Sequence, residues 1–413
     1  MSRCGLRKNY ALVLLFFIFQ VSDLVSHPSA FPFPPSSFHL PLAEPVDGEP
    51  FAGAIAGIDA QGRITFGGDH SGRVLSAADL VQWGAPAEVT RSPLLVLGDG
   101  GLIVADAIHS DATSLWADSE ALGAIKLPLS QLAGVVLHLP SDRPHRDRLV
   151  DCVAAGAGQT DRLLLRNGDE IRGTIEALRD DQVRLLSEVG AISVATDRIA
   201  AVVFRTPAAP AVAPQTFVVW CGFADGSRLR AARLVVDGAA KSLHVTLPGG
   251  SGFTAAAGDL VWLQPAGGRA VYLSDRRVDG YRHVPFLSLS WPYHADRSVE
   301  GNWLRCGGRP YLKGLGVHSA ARLTYLLDGS YRRFAADLGV DDETSGGGSV
   351  RFRVFVDGRS KYTSEVVRGG GLPLPVSLDI TGARRLDLIV DFADRADELD
   401  HADWLNARIV GSR

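Results

Sequence analysis

Apolar and polar residues alternate along most of this chain, in short runs broken by tight turns. The pattern is sharpest at Val350-Arg-Phe-Arg-Val-Phe-Val-Asp-Gly358. A period of two puts successive side chains on opposite faces of a strand, so one face can be buried while the other stays wet. Similar short segments run from Gly314 through Tyr331-Arg-Arg-Phe-Ala-Ala-Asp-Leu-Gly-Val340 to Gly358, and Leu386 to Val410 adds more. Several such strands in quick succession predict one antiparallel β unit at the C-terminal end.

The middle of the chain repeats a related pattern. Leu94-Leu-Val-Leu-Gly-Asp-Gly100 and Leu163-Leu-Leu-Arg-Asn-Gly168 are both strands running into an Asx-Gly turn. Leu127 to Val135 then parallels Val194 to Val202, and Pro140 and Pro207 close the two copies. A third copy starts at Phe217-Val-Val-Trp220 and ends at Leu260-Val-Trp-Leu-Gln-Pro265. A degenerate copy lies between Ile58 and Trp83. Units of this length and strand count match small SH3-like or Sm-like β-barrels, an analogy of pattern that carries no function by itself. The predicted divisions are a β repeat region at 51–140, β-barrel repeats at 161–207 and 215–265, and a C-terminal antiparallel β-sandwich over 271–413. The repeats are read as spacers or assembly modules that hold the last domain away from a surface; binding a partner of their own is the alternative.

The N-terminus departs from the β pattern. Arg3, Arg7 and Lys8 precede the apolar run Ala11 to Val21. A basic segment followed by a short apolar one predicts a secretory signal peptide over 1–26, with an uncleaved membrane anchor as the alternative. The run is short for a bilayer span. A Pro-rich stretch over 27–50 predicts an extended linker. The expected location is therefore secreted, periplasmic or cell envelope, with no stable membrane span after cleavage.

Composition narrows the class. A length of 413 residues fits two to four domains, and 45 Gly with 22 Pro favour turn-rich β structure over long helices. The net charge of −4 argues against a broad phosphate-binding surface, so nucleic acid is not an expected partner. Cys152, Cys221 and Cys306 are far apart and form no CxxC pair, which excludes a zinc ribbon or a disulfide framework and leaves at most one bridge.

Five blocks near the C-terminus then occur in order: Tyr311-Leu-Lys-Gly-Leu-Gly-Val-His-Ser319, Tyr331-Arg-Arg-Phe334, Leu338-Gly-Val-Asp-Asp342, Phe352-Arg-Val-Phe-Val-Asp-Gly358 and Asp400-His-Ala-Asp-Trp-Leu-Asn-Ala407. Together they resemble the NPCBM/NEW2 domain, a carbohydrate-binding module, from about Val271 to Val410. The resemblance implies a galactose-binding-like jelly roll, attachment of some members to glycoside hydrolases, and calcium in related modules.

Candidate ligand-binding residues follow from chemistry. Trp291, Tyr293, His294 and Trp303 form the densest aromatic cluster, and an aromatic face packs well on the C–H face of a pyranose. His318, after Gly314-Leu-Gly316, can exchange hydrogen bonds with hydroxyls. Each of these side chains has a plain core reading as well. Asp341, Asp342, Asp400 and Asp403 lie near loops and are candidate calcium ligands; the alternative is capping of backbone N–H groups. Catalytic signatures are missing: no HExxH, GxSxG or Walker loop occurs, and no carboxylate pair is marked at the spacing of about 5–10 Å that glycoside hydrolysis needs. The expected function is non-catalytic recognition of a glycan or glycosylated surface, with oligomers adding avidity. Two alternatives stand beside it: a structural or assembly protein of the cell envelope that binds protein partners, and an accessory subunit or unrecognised glycoside hydrolase.

Overall fold

The computed structural model describes residues 40–68, 72–205 and 218–411, and the expected signal peptide lies outside them. Among the described residues no helix is long and apolar enough to cross a membrane. The fold is mainly β, in several antiparallel sheets.

Residues 42–266 contain four copies of one strand pattern. In each copy the first strand pairs with the last: Leu42–Pro45 with Leu80–Gly84, Leu94–Leu97 with Leu132–Val136, Asp161–Leu165 with Ile199–Val203, and Val218–Phe223 with Leu260–Ala266. A single turn of 3-10 helix precedes each closing strand, at Ala77–Asp79, Leu129–Gln131, Thr196–Arg198 and Ala257–Asp259. The strand at Leu42–Pro45 corrects the linker expectation, because the segment expected to run extended to Pro50 already enters the first copy.

The separate closed barrels expected for these repeats do not form. In each copy the 3-10 turn, not a ladder, joins the last hairpin strand to the closing strand. The closing strands instead pair between copies. Leu132–Val136 pairs with Ile199–Val203, and Leu80–Gly84 with Leu260–Ala266. The apolar residues of all four copies then merge into one continuous core, from Ala43 and Phe66 through Leu115 and Val183 to Leu263. An exposed strand edge is costly to leave unpaired, and each copy covers the edge of another. The helix Arg143–Ala154 lies over two of these strands, with Asp142 accepting from His145 N at its start. Val150 and Val153 are its buried apolar residues.

The C-terminal region is a sandwich. One sheet runs in the order His294–Ala295, Gly314–His318, His401–Gly411, Tyr331–Val340, Leu374–Asp379, with Ala270–Tyr272 also on the long last strand. The other runs Gly280–His283, Ala321–Leu326, Arg385–Phe392, Ser349–Val356, Arg359–Thr363, with Val367–Arg368 also on Ser349–Val356. Val350, Phe352, Val354 and Val356 point inward, as their alternation predicts, to meet Leu315, Val317, Leu338 and Trp404. Trp404 is wholly buried, and Phe352 meets its ring edge-on at 4.9 Å.

The sandwich is not held apart from the repeats. Arg305 reaches across to Asp147 with two hydrogen bonds of 2.6 and 2.9 Å. It also bonds Glu88 through Nε. Asn406 receives a bond from Gln264 of 3.2 Å. Arg408 bonds Glu44. The repeats are therefore packed directly against the last domain as a platform. Arg305 and Asp147 are both almost fully buried, so their charges depend on each other. Cys152, Cys221 and Cys306 are all free thiols.

Candidate functional site

The outer face of the sheet that contains Gly314–His318 is built from alternation. Leu315 and Val317 enter the core, so Gly314, Gly316 and His318 face outward. Register then places His401 opposite His318, Asp403 opposite Gly316 and Leu405 opposite Gly314. Gly339 lies opposite Asp403 on its other side.

Two glycines make this face flat enough to cover. A Cβ on Gly316 would lie 2.4 Å from the Arg297 carbonyl oxygen and 2.5 Å from the Ser298 carbonyl carbon. One on Gly339 would lie 2.4 Å from Cys306 Sγ. The segment 297–306 therefore rests directly on the sheet. Gly316→Ala is expected to destabilise the domain by about 1–3 kcal/mol, because backbone on both sides must move. Chemical denaturation measures it; unchanged stability would show that this segment does not rest on the strand.

At the end of that face, Trp291 stacks on His318, with centroids 4.9 Å apart and planes within 1°. His401 lies 5.6 Å from the Trp291 ring and 5.8 Å from His318, and His283 meets His318 edge-on at 5.8 Å. Trp291 is half-buried. Its backbone is pinned on both sides. Its N–H donates to His283 Nδ1 at 3.3 Å, and its carbonyl accepts from the Tyr281 hydroxyl at 2.7 Å. His318 is 3% exposed and its Nδ1 has no hydrogen-bond partner in the protein. Burial pushes its pKa down to about 4, with the His401 charge adding to that, so the ring is neutral at neutral pH. Burial lowers His283 as well.

Glu343 completes the cluster. Its Oε1 lies 2.8 Å from His401 Nδ1, and its Oε2 accepts from Ser298 Oγ at 2.7 Å and Asn302 Nδ2 at 2.9 Å. Burial alone would raise its pKa, but these bonds hold it below the usual value. The carboxylate thus stays ionised and fixes the proton of His401 on Nδ1.

The nearby rim is apolar and locally strained. Val284, Phe286, Leu287 and Leu289 are exposed, Leu287 by 85%, and Phe286 meets Phe392 at 6.1 Å. Ala320, Arg395, Ala396 and Leu399 all have left-handed φ near +57°. Such conformations cost about 1 kcal/mol or more each outside glycine and cluster at functional sites.

Of the five expected ligand-contacting residues, Trp291 and His318 meet. Tyr293 packs against the sandwich core beside Tyr281, with rings 5.1 Å apart. His294 sits half-buried on a short edge strand opposite Gly316. Trp303 is a correction: it is 6% exposed and seated against the repeats, where Arg228 lies 4.5 Å over its ring. Burial pushes that guanidinium down to about 10. Trp303 is therefore closed to a sugar. Sequence reasoning did not select His283, His401 or Glu343, which lie far apart in the chain and meet only through strand register.

Of the four carboxylates expected to hold calcium, three accept backbone N–H groups and the fourth is sealed in the interior. Asp341 accepts from Glu343 N and Arg305 N, and Asp342 from Gly307 N and Gly308 N. Asp400 accepts from Ser349 N, and burial pushes it up to about 6. Asp403 is sealed, and burial holds it well above the usual carboxylate range. Among the described residues no group of three or more His, Cys, Asp or Glu side chains is placed to hold a metal ion.

Residues 269–410 match the family model of the NPCBM/NEW2 domain. A candidate endo-alpha-N-acetylgalactosaminidase of Renibacterium salmoninarum is 34% identical over 113 residues, which are 27% of this chain and 8% of that protein. Alpha-1,3-galactosidase B of Akkermansia muciniphila is 32% identical over 115 residues, again 27% of this chain and 14% of the relative. The chain thus spans a small part of the curated relatives it matches. Among solved structures, the CBM51 module from Clostridium perfringens GH95, in complex with methyl-galactose, aligns at 27% identity and a TM-score of 0.31, covering 34% of this chain and 99% of that one. The C-terminal third of the chain is an NPCBM/NEW2 domain, joined to a β region that the family match does not cover.

Proposed function

We propose that the C-terminal domain binds a glycan non-covalently at the Trp291–His318–His401 cluster, and that the protein is a secreted or cell-envelope carbohydrate-recognition protein. The observation that carries this is the half-buried Trp291, pinned through its backbone and stacked on a neutral histidine. An indole fixed in advance offers an apolar surface to the C–H face of a pyranose at little entropic cost. The neutral, buried His318 ring backs the indole and holds its plane in place. Both relatives are named as glycosidases acting on galactose-type sugars, and both match over this domain alone.

The non-catalytic part of the reading draws on the carboxyls. Asp341 and Asp403 lie under the 297–306 segment at 1% and 0% exposure, which leaves them out of a sugar's reach. The reading of secretion draws on the basic and apolar N-terminal segments in the sequence.

Methyl-galactoside titrated into the full chain, followed by tryptophan fluorescence and calorimetry, tests the site. Trp291→Ala is expected to weaken binding about tenfold or more, the loss of one aromatic platform. Wild-type protein that responds to none of a panel of galactosides and N-acetylated sugars would sink the proposal.

A further inference from the structure

We propose that the helix Arg143–Ala154 of the repeat region is a working part of the glycan site, with Asp147 and Asp151 as positioning residues. The inference rests on the reading of the Trp291–His318–His401 cluster given above. The family match begins at residue 269, so it includes neither aspartate.

The connection is continuous in hydrogen bonds. Asp151 grips Arg297 through a bidentate pair of 2.9 and 3.1 Å, and its Oδ1 also accepts from Trp303 Nε1 at 3.1 Å. Asp147 accepts from Trp303 N at 3.0 Å and holds the Arg305 guanidinium. The two aspartates, one helical turn apart, thereby clamp both ends of the 297–305 segment. Between the clamps, Ser298 and Asn302 close a turn on each other and both donate to Glu343 Oε2. The other Glu343 oxygen fixes His401 beside Trp291. The 297–305 segment has no regular ladder of its own except at Arg305–Cys306, so its shape depends on what grips it. A loop held from one side by a helix and bonded on the other to a ligand-orienting carboxylate transmits position between domains. It follows that the isolated sandwich would carry a less ordered site than the full chain.

The test uses the full chain with Asp151→Asn, Glu343→Gln and the double variant. Long-range 1H–15N spectra of His401 give the first readout. Wild type should show the Nδ1–H tautomer, and both single variants should show a mixture. Methyl-galactoside titration gives the second, with about a tenfold loss for each single variant and no further loss for the double, since both act through one connection. Should Asp151→Asn not fold, Arg297→Gln breaks the same grip from the sandwich side without altering the helix and should shift the tautomer in the same direction. A wild-type tautomer and affinity in Asp151→Asn overturn the proposal. If wild type binds no sugar, the glycan reading fails by itself, while the His401 spectra still decide whether the helix controls that ring.

Discussion

Arg305→Ala is expected to cost about 3–5 kcal/mol and to loosen the sandwich from the repeats. Arg305 is 4% exposed and sits between Asp147 and Glu88. Burial alone would push Glu88 upward, but the Arg305 hydrogen bond and charge bring it below its usual value. The same two carboxylates hold the Arg305 guanidinium above its ordinary range against its own burial. Removing the guanidinium leaves Asp147 buried with its main counter-charge gone, which is far worse than never having built the pair. Arg305→Lys should recover little, because an ammonium cannot make the two parallel bonds to Asp147. Thermal melting of the full chain measures this: about 10 °C lower for Arg305→Ala, with Arg305→Lys close to it. Equal melting temperatures for Arg305→Ala and wild type would mean that this interface contributes no net stability.

This interface marks where the sequence stopped being legible. Strand positions were readable because burial on one face imposes a period of two, as at Val350 to Val356. The repeat was readable because its closing pattern recurs, and even the degenerate copy ending at Trp83 proved to have the full set of strands. Pairing between closing strands was not readable. Nothing in Leu132–Val136 says whether its second edge is covered by its own copy or by another. Trp303 was misjudged for a related reason. A tryptophan in an irregular segment suits a ligand platform and a domain interface equally well, and only the Arg228, Asp147 and Asp151 side chains decide between them. His318 was found because its glycine neighbours announce a close approach. His401 was passed over because its role depends on standing opposite His318 across a ladder.

Asp403→Asn is expected to stabilise the protein in alkaline solution and to flatten the fall of stability with pH. Asp403 is fully buried, and neither carboxyl oxygen receives a hydrogen bond from an N–H or hydroxyl group. Asp341 beside it accepts two backbone bonds, of 2.8 and 3.0 Å. Burial pushes Asp341 up to about 6, and burial together with the Asp341 charge pushes Asp403 much further. Two carboxyls this close cannot both ionise cheaply, so Asp403 keeps the proton. The sign follows from linkage. A carboxyl whose folded pKa exceeds its unfolded value binds more protons in the native state, so stability declines as pH rises between the two values. Lowered His318 and His283 act in the opposite direction, but only below their ordinary value of 6.5, where the unfolded chain takes up the protons. Both proteins share those histidines, so the difference between their melting curves isolates the aspartate. As pH rises above the ordinary carboxylate range, wild type should lose stability relative to the asparagine variant, whose amide can donate to Asp341 without titrating. Parallel curves for the two proteins would mean that Asp403 is already ionised and that its burial is offset by other groups.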